Sequence, residues 1–183
     1  MQQRKNTMAT RTLAYCAMLA ALSVALARLF GLMPEESARF SIEAIPIFTA
    51  GMLFGPLAGG LVGFAADFVG CLFSPFGFNP RLCVPPILYG VFCGVFRRFL
   101  AKNVSIPRLA VSFLPPVVLG SILYQSVALA YVYNSTTFVE GLILKLSTRS
   151  VQFSITMVLD VVLIYLIFKA KIFDRLGIWP LKE

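Results

Sequence analysis

The stretch from Ile42 to Phe73 constrains the fold most, because it is almost continuously apolar. It is too long for one membrane crossing, which takes about 20 residues, and short for two. The dipeptide Gly55-Pro56 near its midpoint is a turn signal, so the stretch is predicted to form two spans. Glycines recur at every fourth position around this turn, a spacing typical of helices that pack closely in lipid, at Gly51, Gly55, Gly59 and Gly63.

The composition indicates that the whole chain is an integral membrane protein. Hydrophobic residues make up 58% of its 183 residues and charged residues 13%, and the mean hydropathy is +0.84. Soluble domains average about 45–50% apolar and about 25% charged residues. The net charge of +8 is spread between the apolar runs, so it indicates membrane topology rather than nucleic-acid binding.

Six apolar segments predict an all-α protein whose single domain, residues 1–183, crosses the bilayer six times. The predicted spans are residues 12–28, 40–55, 57–73, 83–100, 109–133 and 149–168. This alternation puts eleven of the 16 Lys and Arg residues on the side of the two termini. By the positive-inside rule, both termini are predicted to be cytoplasmic.

Motifs of catalysis are absent from the sequence. There is no P-loop motif for ATP hydrolysis, and there is no histidine to act as a general base or zinc ligand. The four cysteines lie in apolar surroundings without a CxxC pair, which favours small buried hydrophobes over a metal or redox site. A binding protein without metal or cofactor is therefore favoured, and a small intramembrane enzyme is the alternative from another class.

Four arginines lie at the predicted external ends of spans, on the side that the positive-inside rule depletes: Arg28, Arg39, Arg81 and Arg149. Snorkelling of helix-end arginines to the interface explains such positions without a ligand. A planar guanidinium also binds a carboxylate through two parallel hydrogen bonds, so the same arginines alternatively indicate an anionic substrate.

Asp67 is a carboxylate in the third span, where a charge near the bilayer centre costs about 2.5–3.5 kcal/mol on insertion scales. It either pairs with an arginine such as Arg28 or accepts paired N–H donors from a heterocyclic ligand. Further candidates share the predicted outer half as polar groups or as faces for a flat ring, and they are Phe40, Glu43, Tyr89 and Gln125.

The first span carries a stripe of small residues one helical turn apart, Ala17, Ala21 and Ala25. Small residues let helix backbones approach closely in lipid. The stripe therefore indicates either packing within the chain or docking on the helix of a partner, and the pattern alone leaves both open.

Several segments together resemble the substrate-binding (S) components of energy-coupling factor (ECF) vitamin transporters, within them most of all the folate-specific branch. The segments are the basic N-terminus, the alanine stripe, RFSIEAIP at 39–46, GMLFGP at 51–56, GGLVGFAAD at 59–67 and a P-x-G-x-x-P loop at 75–80. The resemblance implies a compact six-helix bundle in the cell membrane, of bacterial plasma-membrane type, with a vitamin site near its outer surface. It also implies a transmembrane coupling protein (T component) and two ECF ATPases as partners, and it assigns the alanine stripe to docking on the T component.

Folate, oxidised or reduced, is the ligand that the resemblance implies. Its pterin carries an amino group beside a ring N–H, which Asp67 would accept, and its flat ring would lie against Phe40 and Tyr89. Its glutamate tail carries two carboxylates, for which the expected partners are Arg28, Arg81 and Arg149. Riboflavin and thiamine are the alternative vitamins, and cationic thiamine suits an arginine-rich site least.

Overall fold

Every regular element is helical in the residues that the computed structural model describes, which are 2–31, 42–73, 80–133, 138–171 and 173. The α-helices are α1 Gln2–Gly31, α2 Ala44–Phe54, α3 Pro56–Leu72, α4 Val84–Val95, α5 Arg97–Lys102, α6 Ile106–Pro115, α7 Gln125–Tyr133 and α8 Phe138–Lys169. A π-helix, Pro116–Tyr124, joins α6 to α7, and a short 3₁₀ turn, Pro80–Leu82, precedes α4. The predicted all-α class is confirmed.

The turn predicted at Gly55-Pro56 separates α2 from α3. Gly55 has a φ of 97°, a left-handed value that side chains rarely tolerate, and its N–H donates to the Gly51 carbonyl at 2.9 Å. Pro56 follows at the first position of α3, where its missing N–H has no helical partner to lose. Local chemistry therefore reverses the chain within one residue.

Glycines bring α2, α3 and α4 into backbone contact. A Cβ atom added at Gly59 would collide with the carbonyl of Gly90, and one at Gly63 with the carbonyl of Pro86. One added at Gly51 would also collide with Gly90. The four-residue glycine spacing of α2 and α3 is thus matched by glycine on α4, and at these positions backbone lies directly against backbone.

An aromatic cluster forms the core between these helices and the second half of the chain. The rings of Phe48 on α2 and Phe113 on α6 stack with centroids 3.9 Å apart. Tyr89 on α4 meets Phe113 edge to face at 6.0 Å. All three side chains are buried, so the cluster fixes α4 and α6 against α2.

The helix type changes at Pro115-Pro116. The α-helical pattern ends at Pro115, and the π-helix begins at Pro116, which has no N–H to donate. At the far end the N–H of Gln125 donates to the carbonyl of Gly120, five residues earlier. π-helical segments often lie at functional sites.

Three helical segments in the described residues are long and apolar enough to cross a membrane: Thr10–Leu29, Ile106–Ala128 and Leu146–Lys169. The shorter apolar helices are α2, α3 and α4. At 1.5 Å per residue, the 11 residues of α2 extend only about 16 Å, well short of a 30 Å hydrocarbon core. The count of six crossings and the cytoplasmic termini remain predictions.

The bundle has two distinguishable ends. At one end Tyr15 of α1 stacks on Phe54 of α2, with ring centroids 6.1 Å apart, and the Arg97 guanidinium lies beside Gly55. At the other end Arg28 of α1 donates to the carbonyl of Gly70 of α3. Following the predicted topology, we call the end with Arg28 and Gly70 the outer end and the opposite one the inner end.

Candidate functional site

Asp67 lies near the C-terminal end of α3 and is half-buried. The thiol of Cys71, one turn further on, donates to its Oδ2 at 3.9 Å, and the thiol of Cys83 is also hydrogen-bonded to the carboxylate. Cys83 immediately precedes α4, so this contact joins the end of α3 to the start of α4. Thiols are weak donors and a carboxylate has about four acceptor positions, so Asp67 keeps capacity for stronger donors.

Arg28 lies beside the same end of α3. Its guanidinium donates to the carbonyl oxygen of Gly70, three residues after Asp67, and its side chain is exposed. A cation at a helix C-terminus is favourable because the last carbonyl groups carry partial negative charge. Among the contacts of the described residues, Arg28 therefore pairs with the helix end rather than forming the salt bridge with Asp67 that the sequence left open.

Arg81 approaches this region from the 3₁₀ turn before α4. Its guanidinium carbon lies 4.9 Å from the centre of the Tyr131 ring on α7, a cation–π contact, and both residues are exposed. Arg81 is two residues before Cys83, the partner of Asp67. Arg81 therefore follows the same chain segment as Cys83 into α4, while its guanidinium contacts α7.

A second group of predicted residues meets at the π-helix. The hydroxyl of Tyr89 lies 3.1 Å from Oγ of Ser121, and the guanidinium of Arg149 donates to the Ser121 carbonyl at 3.4 Å. Arg149 also lies over the ring of Phe153, 5.5 Å from its centre. Arg149 is only half-buried, and these contacts occupy part of its five-donor guanidinium.

The remaining predicted residues have fewer defining contacts. Glu43 precedes α2 and is half-buried, and its backbone carbonyl accepts a hydrogen bond of 2.8 Å from Oγ of Ser23. Gln125 is half-buried where the π-helix gives way to α7. Phe40, like Arg39, lies outside the described residues.

Two buried polar residues were not among the predicted site residues. Ser121 is 2% exposed; its hydroxyl is hydrogen-bonded to that of Tyr89, and its carbonyl accepts from Arg149. Nothing in its neighbouring sequence signals these long-range contacts. Asp160 of α8 is also 2% exposed, and its Oδ1 has no hydrogen-bond partner among the described residues. An isolated acid within an apolar span is the sequence signal that marks Asp160.

Metal binding finds little support in the described part of the chain, because no group of three or more Cys, Asp or Glu side chains gathers there in a way that would hold an ion. Asp67 with Cys71 and Cys83 places one carboxylate between two thiols without forming such a group. The chemistry of this region is that of hydrogen bonding and charge.

The alanine stripe of α1 faces away from the bundle. Ala17, Ala21 and Ala25 are all exposed. The opposite face of α1 packs on the core through Cys16, Leu19, Ala20, Ser23 and Val24. The chain itself therefore leaves the stripe open to lipid or to another protein.

Taken together, the outer end offers a carboxylate that accepts N–H donors, cations that bind carboxylates and aromatic side chains close by. Such a set suits a flat heterocycle that carries an anionic tail.

Comparisons with known proteins bear on this arrangement. The sequence profile of a family described as "ECF-type riboflavin transporter, S component" matches residues 7–171. The chain is 36% identical over 75 residues to the folate transporter FolT of Clostridium novyi (strain NT), a match that covers 38% of this chain and 40% of that protein. The chain thus spans less than half the length of the curated relative that it matches.

A solved structure resembles the fold over most of its length. The crystal structure of FolT bound with folic acid superimposes with a TM-score of 0.71 and 25% sequence identity. The match covers 85% of this chain and 91% of that one.

Proposed function

The chain belongs to the S components of ECF-type transporters and is a membrane protein, and on that premise we propose that it binds folate at its outer end. The single observation that carries the proposal is that the half-buried carboxylate of Asp67, joined to Cys83 before α4, shares the outer end with Arg28, which binds the Gly70 carbonyl, and that Arg81 lies two residues before Cys83. Support also comes from the similar fold of a FolT that was crystallised with folic acid.

The anionic end of folate would bind to the arginines. Its glutamate tail presents two carboxylates, and a guanidinium forms two parallel hydrogen bonds with a carboxylate. Arg28 and Arg81 are exposed at the outer end, and Arg149 is half-buried above the π-helix. The Ser121 carbonyl and the Phe153 ring orient Arg149 before any ligand arrives, which reduces the side-chain entropy lost on binding.

The pterin end would bind to Asp67. An amino group beside a ring N–H matches the two oxygens of a carboxylate, and these donors would replace the weaker thiols of Cys71 and Cys83. Tyr89 is buried and its hydroxyl is hydrogen-bonded to Ser121. Its ring would therefore pack against the pterin in a fixed position, and its hydroxyl would not donate to the ligand. Phe40 would stack on the ring, and Glu43 and Gln125 would contact its polar edge.

Riboflavin is the second candidate, because the matching family profile is described by that vitamin. Riboflavin also has a flat ring system with hydrogen-bonding edges, but its side chain is a neutral polyol. It would offer no carboxylate to the outer-end arginines, which favours folate. Thiamine is cationic and fits a positively charged site least. The similarity to transporter S components favours vitamin binding over a small intramembrane enzyme, the alternative from another class.

Energy for uptake would come from partner proteins. The sequence has no P-loop, so the proposed importer adds a T component and two ECF ATPases that deliver the vitamin across a bacterial plasma membrane. The exposed stripe of Ala17, Ala21 and Ala25 would dock on the T component, since its small side chains allow close helix contact.

The decisive experiment identifies the vitamin directly. The purified chain is expected to carry a folate that ultraviolet absorbance and mass spectrometry detect, and to rebind folate more tightly than riboflavin after extraction. Arg28→Gln combined with Arg81→Gln should weaken folate binding and leave riboflavin binding unaffected. Arg98→Gln, an exposed arginine at the inner end, is the matched control and should bind as the unmodified chain does. A folded preparation that prefers riboflavin, or binds neither vitamin, overturns the proposal.

A further inference from the structure

A cavity lies at the inner end, away from the proposed vitamin site. Its volume is about 410 Å³, and it opens between the α5–α6 connection and the last turn of α8. The side chains that give it its character are Lys102, Asn103 and Val104 on one side and Tyr165, Lys169 and Lys171 on the other. Two segments distant in sequence therefore form one concave surface.

The charge of this cavity has one sign. Three lysines line it, and none of its lining residues in the described part of the chain is a carboxylate. All three are exposed, and none forms a salt bridge with an acid in the described ranges of the chain. Ammonium groups that converge without a counter-ion attract an anion, and the Asn103 amide and the Tyr165 hydroxyl add donors suited to phosphate oxygens.

The position of the cavity favours an anion that belongs to a lipid. Lys169 ends the apolar segment Leu146–Lys169, so the cavity lies where a span would meet the polar headgroups. Leu166 and Val162 precede Lys169 by one and two helical turns on the same face of α8, and both are exposed. Acyl chains would lie along this apolar row while the phosphate reached the lysines.

We propose that the inner-end cavity binds the phosphate-bearing headgroup of one anionic phospholipid. Lysines that merely snorkel to the interface attract anionic lipids diffusely, without a fixed number. A cavity that takes its lysines from two segments instead selects a single lipid. The number of lipids that resist exchange is therefore the property to measure.

The test uses the full chain in nanodiscs that contain phosphatidylglycerol and phosphatidylcholine. Native mass spectrometry of the released protein should find one retained phosphatidylglycerol. Each lysine near an anionic surface contributes about fivefold in affinity, so Lys102→Gln with Lys169→Gln should weaken retention about 30-fold. Arg11→Gln with Arg98→Gln removes the same charge from exposed positions that do not line the cavity and should retain the lipid.

Unchanged retention in the lysine variant, or equal loss in the arginine control, overturns the proposal. Glycerol phosphate, the soluble headgroup, distinguishes the two sources of phosphate: displacement of the lipid by millimolar glycerol phosphate would assign the cavity to a soluble phosphate ester instead. If the lysine variant retains the lipid normally but fails to assemble with the T component, the cavity is a contact for that protein instead. Thermal unfolding of each variant confirms that it is folded.

Discussion

The hydroxyl of Tyr89 on α4 lies 3.1 Å from Oγ of Ser121, and this hydrogen bond fastens α4 to the π-helix. Both residues are nearly inaccessible, so neither oxygen has water as an alternative partner. The Ser121 carbonyl also accepts from Arg149, so one residue of the π-helix connects α4 with α8.

Tyr89→Phe should therefore lower the free energy of unfolding by about 1–2 kcal/mol, because it leaves the Ser121 hydroxyl buried without its partner. Thermal unfolding in detergent measures the change. Tyr124→Phe is the control, since Tyr124 lies on the same π-helix but is 37% exposed. Equal melting temperatures for Tyr89→Phe and the unmodified chain would contradict a structural role for this hydrogen bond.

Gly90→Ala should prevent normal folding or reduce stability severely. The added methyl group would overlap the backbone of Gly59 and Gly60, which has no side chain that can move aside. Gly70→Ala is the matched control, because nothing lies within 4 Å of the added atom and alanine favours a helix by about 1 kcal/mol. We expect the yield of monodisperse protein to fall only for Gly90→Ala; similar yields for both variants would show that the helices separate easily.

Asp67→Asn should weaken folate binding while the protein still accumulates. Hydrogen bonds to a charged group contribute about 1.5–3 kcal/mol, so the expected loss is roughly 10- to 100-fold in the dissociation constant. Titration with folate measures it, and Cys71→Ala, which removes only a weak donor, should bind nearly normally. If Asp67→Asn unfolds the protein, the carboxylate is structural and the assignment to the pterin is wrong.

Ala21→Leu should abolish uptake and leave folate affinity unchanged, because a larger side chain would hold the partner helix away from α1. Uptake by cells that also express the coupling proteins is compared with folate binding by the isolated chain. Val158→Leu enlarges another exposed side chain, on α8, and serves as the control. Normal uptake by Ala21→Leu would remove the stripe from the docking surface.

Local chemistry made part of this fold predictable. Gly55-Pro56 carries its turn in two residues, since glycine permits the positive φ and proline starts the next helix. Hydropathy marked the apolar helices, and the alanine spacing marked a face that the bundle leaves exposed. Each of these signals comes from residues that lie close together in the sequence.

Contacts between distant segments were not predictable in the same way. Asp67 meets Cys83, and Ser121 meets both Tyr89 and Arg149, only because the helices pack in one particular arrangement. Pro115 and Pro116 disrupt a regular α-helix, but a run of i→i+5 hydrogen bonds depends on what the neighbouring helices allow. The sequence indicated which arginines to consider as site residues. Only the structure shows the carbonyl groups and rings that orient them.

The glycine contacts among α2, α3 and α4 also bear on motion within the bilayer. Helices separated by side chains can slide as rotamers change, but backbones in direct contact have nothing to rearrange between them. We therefore expect these three helices to move together as one unit. Any tilting of this transporter component should carry Asp67 and the start of α4 together, so the contact between Asp67 and Cys83 should keep its local geometry as the bundle reorients.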